Sequence, residues 1–237
     1  VDNDSNTLST SNSSSTDLGL ATTPKIQVSE EESRELALQK SDRITIDTPR
    51  LKGSISLVGA RIDDLKLKDY NLRLNDENEK VILFSPPGTP NAYFAEYGWV
   101  PEGGDENGNF PDYSTKWKVK GNRVLSENNP VSLEWENSSG IAFRRDIMVD
   151  ANYLFSIRQT IENKSGIDIK VYPYGFIARE GEPVTRGFFI LHEGIVRFSD
   201  GIMKEFKYSH VEDFDQSTEV ESIQNSGWIG FTDHYWM

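Results

Sequence analysis

Three histidines, His192, His210 and His234, and the carboxylates near them in the chain, Glu180, Glu182, Glu193, Glu212, Asp213 and Asp233, are the side chains from which an acid–base site could be built. A histidine and a carboxylate converging on one sugar oxygen would serve as base and acid in a sugar-modifying reaction. The spacing does not favour it. His192 and Glu193 are adjacent, so on a strand they point to opposite faces, and the set shows no ligand-like repeat. The histidines therefore read as structural or surface residues. No catalytic residue, cofactor-binding residue or metal ligand is assigned from the sequence.

A second candidate is the loop from Pro101 to Asn109, where Asp105, Asn107 and Asn109 imitate the opening of a calcium loop. The pattern then breaks, because Phe110 stands where glycine is required and Lys116 where a bidentate glutamate should be. A solvated turn is expected. The aromatic group Tyr93, Phe94, Tyr97 and Trp99 would suit stacking on sugars or a peptide, but such residues also dominate sandwich cores, and core is the expected place for most of them. Asn12, Asn137 and Asn163 begin glycosylation-like triplets that arise readily by chance. No P-loop, GxSxG, HExxH or dinucleotide fingerprint occurs. The chain has no cysteine, which excludes disulfides, thiolate nucleophiles and cysteine-based zinc sites.

The scaffold that would have to position any of these groups is 237 residues long, enough for one sizeable core. Its net charge of −13 makes nucleic acid a poor partner and repels anionic lipid head groups. No window approaches the ~20 consecutive apolar residues of a transmembrane helix. The chain opens on Val1 without a signal-peptide pattern and closes on the aromatic-rich run from Gly227 to Met237, so a fragment of a longer product is expected. With strands missing beyond Met237, an exposed edge or apolar patch near those aromatics is expected.

Residues 1–28 are rich in Ser, Thr, Asn and Asp, with few large apolar side chains, and are expected to form a disordered tether. Ser29 and Glu32 stand at capping-box spacing before a short amphipathic stretch, which predicts a short helix within 29–41. From Arg43 onward the apolar rhythm is two. Ile44 and Ile46, then Ile55 and Leu57, alternate with polar residues, and Ile62 to Leu67 opens another strand. Gly53, Gly59, Pro86, Pro87 and Gly88 read as fold-shaping turns. Further strands are expected over 114–120, 131–136, 141–149, 153–161, 167–180, 187–192 and 194–198. Ser199-Asp200-Gly201 should form a tight hairpin turn, with Met203, Phe206 and Tyr208 on the return strand. On 153–161 the residues Tyr153, Phe155, Ile157 and Ile161 share a face, with Leu154 an apolar exception on the other. Strands at intervals of roughly ten residues, without helical periodicity between them, predict an all-β domain over 43–237, made of antiparallel sheets packed face to face.

Four separated blocks then add a resemblance: IDTPRLKGSISLVGARIDDLKLKDY (46–70), LFSPPGTPNAYFAEYGWV (83–100), LHEG with SDG (191–201) and GWIGFTDHYW (227–236). In this order they resemble the large periplasmic domain of the YidC membrane protein insertases, alphaproteobacterial branch, over about residues 43–237. The resemblance implies a galactose mutarotase-like β-supersandwich, placed after a transmembrane helix and a linker and before a five-helix membrane core. It implies a non-catalytic domain facing the periplasm from the inner membrane. Its partners would be nascent membrane proteins, and Sec translocon subunits, met through the full-length insertase. Membrane contact would run through segments this chain lacks, and no nucleic acid or cofactor is implied. The family's hydrophilic groove and its arginine lie in the membrane core, and no position here matches them. The rival reading is a carbohydrate-binding or aldose-epimerase-like sandwich, which would share the fold but not the role.

Overall fold

The computed structural model describes residues 33–73, 76–105, 109–181, 183, 192–213 and 218–233. The tether expected over 1–28, the Ser29–Glu32 capping box, the strand expected over 187–192 and His234 all lie wholly or mainly outside these residues. The fold is all-β, with three sheets among the described residues. Strands β1 (Arg43–Asp47), β2 (Leu51–Ser56), β3 (Ile62–Arg73), β4 (Asp76–Phe84) and β5 (Tyr93–Pro101) build most of a seven-stranded sheet. After them come β6 (Lys118–Lys120), β7 (Val124–Leu125), β8 (Val131–Glu136), β9 (Ile141–Val149), β10 (Phe155–Asn163), β11 (Val171–Arg179), β12 (Gly194–Ser199), β13 (Ile202–Lys207) and β14 (Gly227–Thr232). The large sheet runs β11-β5-β3-β2-β1-β7, with β4 also paired to β3; β10-β9-β8-β6 form the second sheet and β13-β12-β14 the third. Pairing is antiparallel except for β1 with β7, a two-residue parallel contact at Thr45–Val124 and Ile46–Leu125.

The two larger sheets face each other because their two-residue rhythm puts one apolar row on each inner surface. Ile44, Ile46, Leu51, Ile55, Leu65 and Leu67 from one sheet meet Val131, Leu133, Ile141, Phe143, Ile147 and Val149 from the other. Phe143 is the hub: its ring centroid lies 5.2 Å from Trp99, 5.4 Å from Phe110 and 5.6 Å from Trp135. Trp117 is buried although the strand expected over 114–120 shrinks to Lys118–Lys120; Trp117 is held instead by its amide donating to the Leu57 carbonyl at 2.8 Å.

Two departures from strict alternation shape the large sheet. Between Ser54–Asp64 and Ile55–Ile62 the β2–β3 register slips, which leaves Asp63 as the extra residue of a bulge. Asp63 and Asp64, neighbours that an ideal strand would point apart, are both buried. Gly53 is no turn: it lies inside β2, and a Cβ there would sit 2.0 Å from the Asp64 carbonyl oxygen, so glycine is what lets the bulge close. Gly59 and Gly88 do take positive φ, as turns require.

The helix α1 is shorter than the 29–41 stretch, spanning Arg34–Gln39 with Ser33 as its N-cap. It lies on the outer face of the large sheet, where Ala37 is buried and Arg34 pairs with Asp64. Strand β10 starts two residues later than expected because the Asp150 carboxylate draws in the amides of Asn152 (2.7 Å) and Leu154 (2.8 Å), winding Tyr153 to φ +74°. No strand forms over 167–170, and Ile167 is exposed. The hairpin turn at Asp200-Gly201 forms as expected, with positive φ at both residues. Tyr208 leaves the return strand for a 3-10 turn, Tyr208–Asp213.

Candidate functional site

The inner edge of β5 carries Tyr93, Ala95 and Tyr97, and the matching positions of β3 carry Leu65 and Leu67. They line a cleft of about 500 Å³, completed by Tyr153 and Phe155 on one side and by Ile177, Phe231 and Asp233 on the other. Its walls are mainly apolar and aromatic. Tyr153 donates its hydroxyl to Asp69 at 2.7 Å, and partial burial with that bond pushes its phenol up to about 12.

The third sheet is fixed to the cleft rim through Arg179, at the end of β11. Its guanidinium lies 5.4 Å from the centroids of both the Tyr93 and Tyr208 rings. One terminal nitrogen donates to both Asp233 oxygens, at 2.9 and 2.7 Å, and to the Tyr208 hydroxyl at 3.0 Å. Phe231 packs edge-on to Tyr93 at 5.6 Å and stacks on Tyr208 at 6.3 Å. Burial raises the phenols of Tyr93 and Tyr208 above their ordinary value, so both stay protonated near neutral pH.

The acid–base candidates do not converge. His192 Nδ1 lies 2.8 Å from the Thr232 hydroxyl, whose oxygen is also 3.1 Å from the His192 carbonyl oxygen; this knits the lead-in of β12 to β14. His210 is exposed on the 3-10 turn. Glu180 caps the Pro86–Gly88 turn, accepting from the Gly88 amide at 3.3 Å. Glu193 is half-buried beside His192 in sequence, and Asp233 is engaged by Arg179. Glu182 and His234 lie outside the described residues, as do the side chains of Glu212 and Asp213. Among the described residues no group of three metal-binding side chains comes together, and no histidine is ion-paired to a carboxylate.

The remaining candidates resolve into structure. In the calcium-like loop Asp105 accepts from the amides of Asn109 and Phe110, each at 2.8 Å, closing the turn; residues 106–108 lie outside the description. Asn137 and Asn163 lock their own turns through side-chain bonds to Ser139 and Ile141, and to Ser165 and Ile167; Asn12 is outside the described residues. The aromatic group divides. Trp99 enters the core, Phe94 is buried on the opposite face, and Tyr93 and Tyr97 line the cleft. Near the C-terminal aromatics Trp228 and Ile229 of β14 are exposed, as are Ile202 and Met203 of β13.

Arg179 was not singled out in the sequence, although a signal exists. It shares the inward parity of Val171 and Ile177, and a charged residue at a dry position asks for a partner.

Comparison with known proteins assigns this scaffold. The family model of the YidC periplasmic domain matches residues 43–237. Among curated relatives, a membrane protein insertase YidC of Cereibacter sphaeroides is 46% identical over 207 residues, covering 84% of this chain and 33% of its own length. That of Ruegeria pomeroyi is 45% identical over 210 residues, 84% of this chain and 34% of its own. That of a Jannaschia species is 41% identical over 236 residues, 94% and 38% respectively. The chain thus spans about a third of the length of these relatives. The chain belongs to the YidC periplasmic domain family.

Proposed function

We propose that this chain is the non-catalytic, periplasm-facing domain of an inner-membrane protein insertase, and that it works as a binding or scaffolding module. The match of the YidC periplasmic domain family across residues 43–237 carries this reading. In this reading residues 1–42 form a tether with a docked helix and 43–237 the sandwich. The full-length protein takes nascent membrane proteins as substrates and works alone or with Sec translocon subunits. The cleft at Tyr93, Tyr97 and Phe231 offers apolar surface and, among the described residues, no histidine–carboxylate pair, which suits contact rather than turnover. The net charge of −13 keeps the domain from lying on anionic lipid.

The test is depletion of the full-length protein in cells, followed by complementation with the intact gene and with one lacking codons 43–237. Loss of membrane insertion of a reporter on depletion, restored by the intact gene, supports the reading; insertion unaffected by depletion overturns it. Polarimetry of freshly dissolved aldose with the purified chain addresses the epimerase alternative. An anomer equilibration rate above buffer would contradict the absence of turnover.

A further inference from the structure

Most border strands of the three sheets are blunted against further pairing. Strands β6 and β7 are three and two residues long, β4 meets β3 through a broken register, and β11 carries Pro173. The third sheet's border strands, β13 and β14, are six residues each. Strand β10 is the exception. It ends the four-stranded sheet, runs nine residues from Phe155 to Asn163, and keeps an unbroken register with β9 throughout. The phase of that ladder is fixed at its two ends. There the Asp150 amide donates to the Leu154 carbonyl and the Lys164 amide to the Gly140 carbonyl, each at 3.0 Å. The even-numbered residues of β10 therefore direct their backbone groups to β9, and Phe155, Ile157, Gln159, Ile161 and Asn163 aim theirs at the far side. Among the described residues no strand pairs with them there. The inward row agrees: Phe155, Ile157 and Ile161 are half-buried, where Leu133, Phe143 and Ile147 of the neighbouring strands are fully buried.

We propose that this edge pairs with the same strand of a second copy of the chain, antiparallel about a two-fold axis at Thr160. The outer row of β10 is Ser156, Arg158, Thr160 and Glu162, all exposed. Pairing about Thr160 sets Arg158 of each copy opposite Glu162 of the other, twice over by symmetry, with Thr160 facing Thr160 between them. It also sets Gln159 opposite Ile161 and Ile157 opposite Asn163, the residues whose N–H and C=O groups face outward. An axis at Gln159 would set Arg158 opposite Thr160, and one at Ile161 would set it opposite Lys164, so the charges select one register. Arg158 is available for it. It makes no hydrogen bond or salt bridge among the described residues, and Asp146, opposite it on β9, is already bonded to Arg144 and Ser132. Glu162 is bridged to Lys164, with both side chains well exposed. Charges on an edge strand ordinarily guard it; these are spaced to admit the strand itself. The pairing joins two four-stranded sheets into one and brings the half-exposed Ile157 and Ile161 of the two copies into diagonal contact.

The experiment places thiols on β10 of the full-length protein, in a chain that has no cysteine of its own here. Thr160→Cys sets the two thiols at the axis, about 4.5–5.5 Å apart at Cβ, close to disulfide geometry. Ser156→Cys faces Lys164 instead and stands about 26 Å from its own copy. Cells expressing each variant, or the unsubstituted parent, are treated with a mild oxidant and read by non-reducing electrophoresis. The expected result is a covalent dimer from Thr160→Cys at about tenfold the yield from Ser156→Cys. Charge reversal then tests the register. In the Thr160→Cys background, Arg158→Glu alone and Glu162→Arg alone lower the yield. Co-expressing those two variants restores it as mixed dimers, about fivefold in excess of either like dimer. Both residues are exposed, so the fold tolerates the changes. No dimer from Thr160→Cys, equal yields from Thr160→Cys and Ser156→Cys, or no preference for mixed dimers would overturn the proposal. A Thr160→Cys adduct with a different polypeptide in place of the dimer would overturn it as well, and would assign the edge to a foreign extended segment.

Discussion

Arg145 and Gln159 stand opposite each other on the β9–β10 ladder, and both cross the sandwich to reach backbone carbonyls of the facing sheet. Arg145 donates to the Ala60 carbonyl at 3.1 Å, the Gly59 carbonyl at 3.4 Å and the Tyr97 carbonyl. It also lies 4.8 Å from the Trp117 ring centroid. Gln159 donates to the Gly98 carbonyl at 3.3 Å and lies within 3.5 Å of that of Tyr174. Burial lowers the Arg145 guanidinium to about 10, so it remains charged at any physiological pH. The pair sits beside the floor of the cleft and ties its Tyr97 wall to the second sheet.

Removing Arg145 leaves three carbonyls without their donor in a dry layer. Arg145→Ala should cost about 3–5 kcal/mol. Urea unfolding should show the midpoint falling with the slope unchanged. A loss below 1 kcal/mol would mean that water replaces the guanidinium there.

The ladder between β5 and β11 depends on two glycines. A Cβ on Gly98 would meet the Tyr174 ring at 2.5 Å, and one on Gly175 would meet the Tyr97 ring at 2.7 Å. Each tyrosine covers the glycine opposite it. Gly98→Ala should destabilise by about 1–3 kcal/mol. In the Tyr174→Ser background that cost should at least halve, a coupling readable as a double-mutant cycle.

At the cleft rim Arg179→Gln removes the tie between β11 and the third sheet, at about 1.5–3 kcal/mol. Amide exchange should quicken across Gly194–Lys207 and Gly227–Thr232 while β8–β10 keep their protection. Uniform quickening would show the third sheet to be inseparable from the sandwich.

Glu96 gives a pH signature. Burial raises its carboxyl above the ordinary 4.5, against the opposing pull of Arg61 and the Tyr174 hydroxyl. With the folded value raised, the native state holds its proton longer than the unfolded chain. That contribution is complete below 4.5 and is lost as pH climbs through the raised value. The stability of the parent relative to Glu96→Gln should therefore be greater at pH 4 than at pH 7, by urea unfolding at both. The reverse order would show that the ion pair outweighs burial.

Much of the scaffold was legible because the period-two rhythm survives intact in β8 and β9, whose bounds match the reading from sequence. The same rhythm held clues that were not used. On β9 the inward row Ile141, Phe143, Ile147, Val149 skips Arg145, and on β10 the row Phe155, Ile157, Ile161 skips Gln159. The two gaps coincide in register, which marks a polar crossing. The step from Ile62 to Leu65 breaks the period by one and announces the bulge that turns Asp63 and Asp64 to one side. The cleft itself was not readable. It forms where residues far apart in the chain, Tyr93, Tyr153 and Phe231, meet at the seam of separate sheets, and local pattern carries no such distance information.

The central claim is that this domain faces the periplasm as part of an inner-membrane protein. Because the chain has no cysteine, Lys164→Cys on an exposed turn gives a single reporter within it. The variant is made in the full-length protein and treated in spheroplasts with a membrane-impermeant maleimide. The account predicts labelling above the unsubstituted parent without lysis; labelling that appears only after lysis would contradict it.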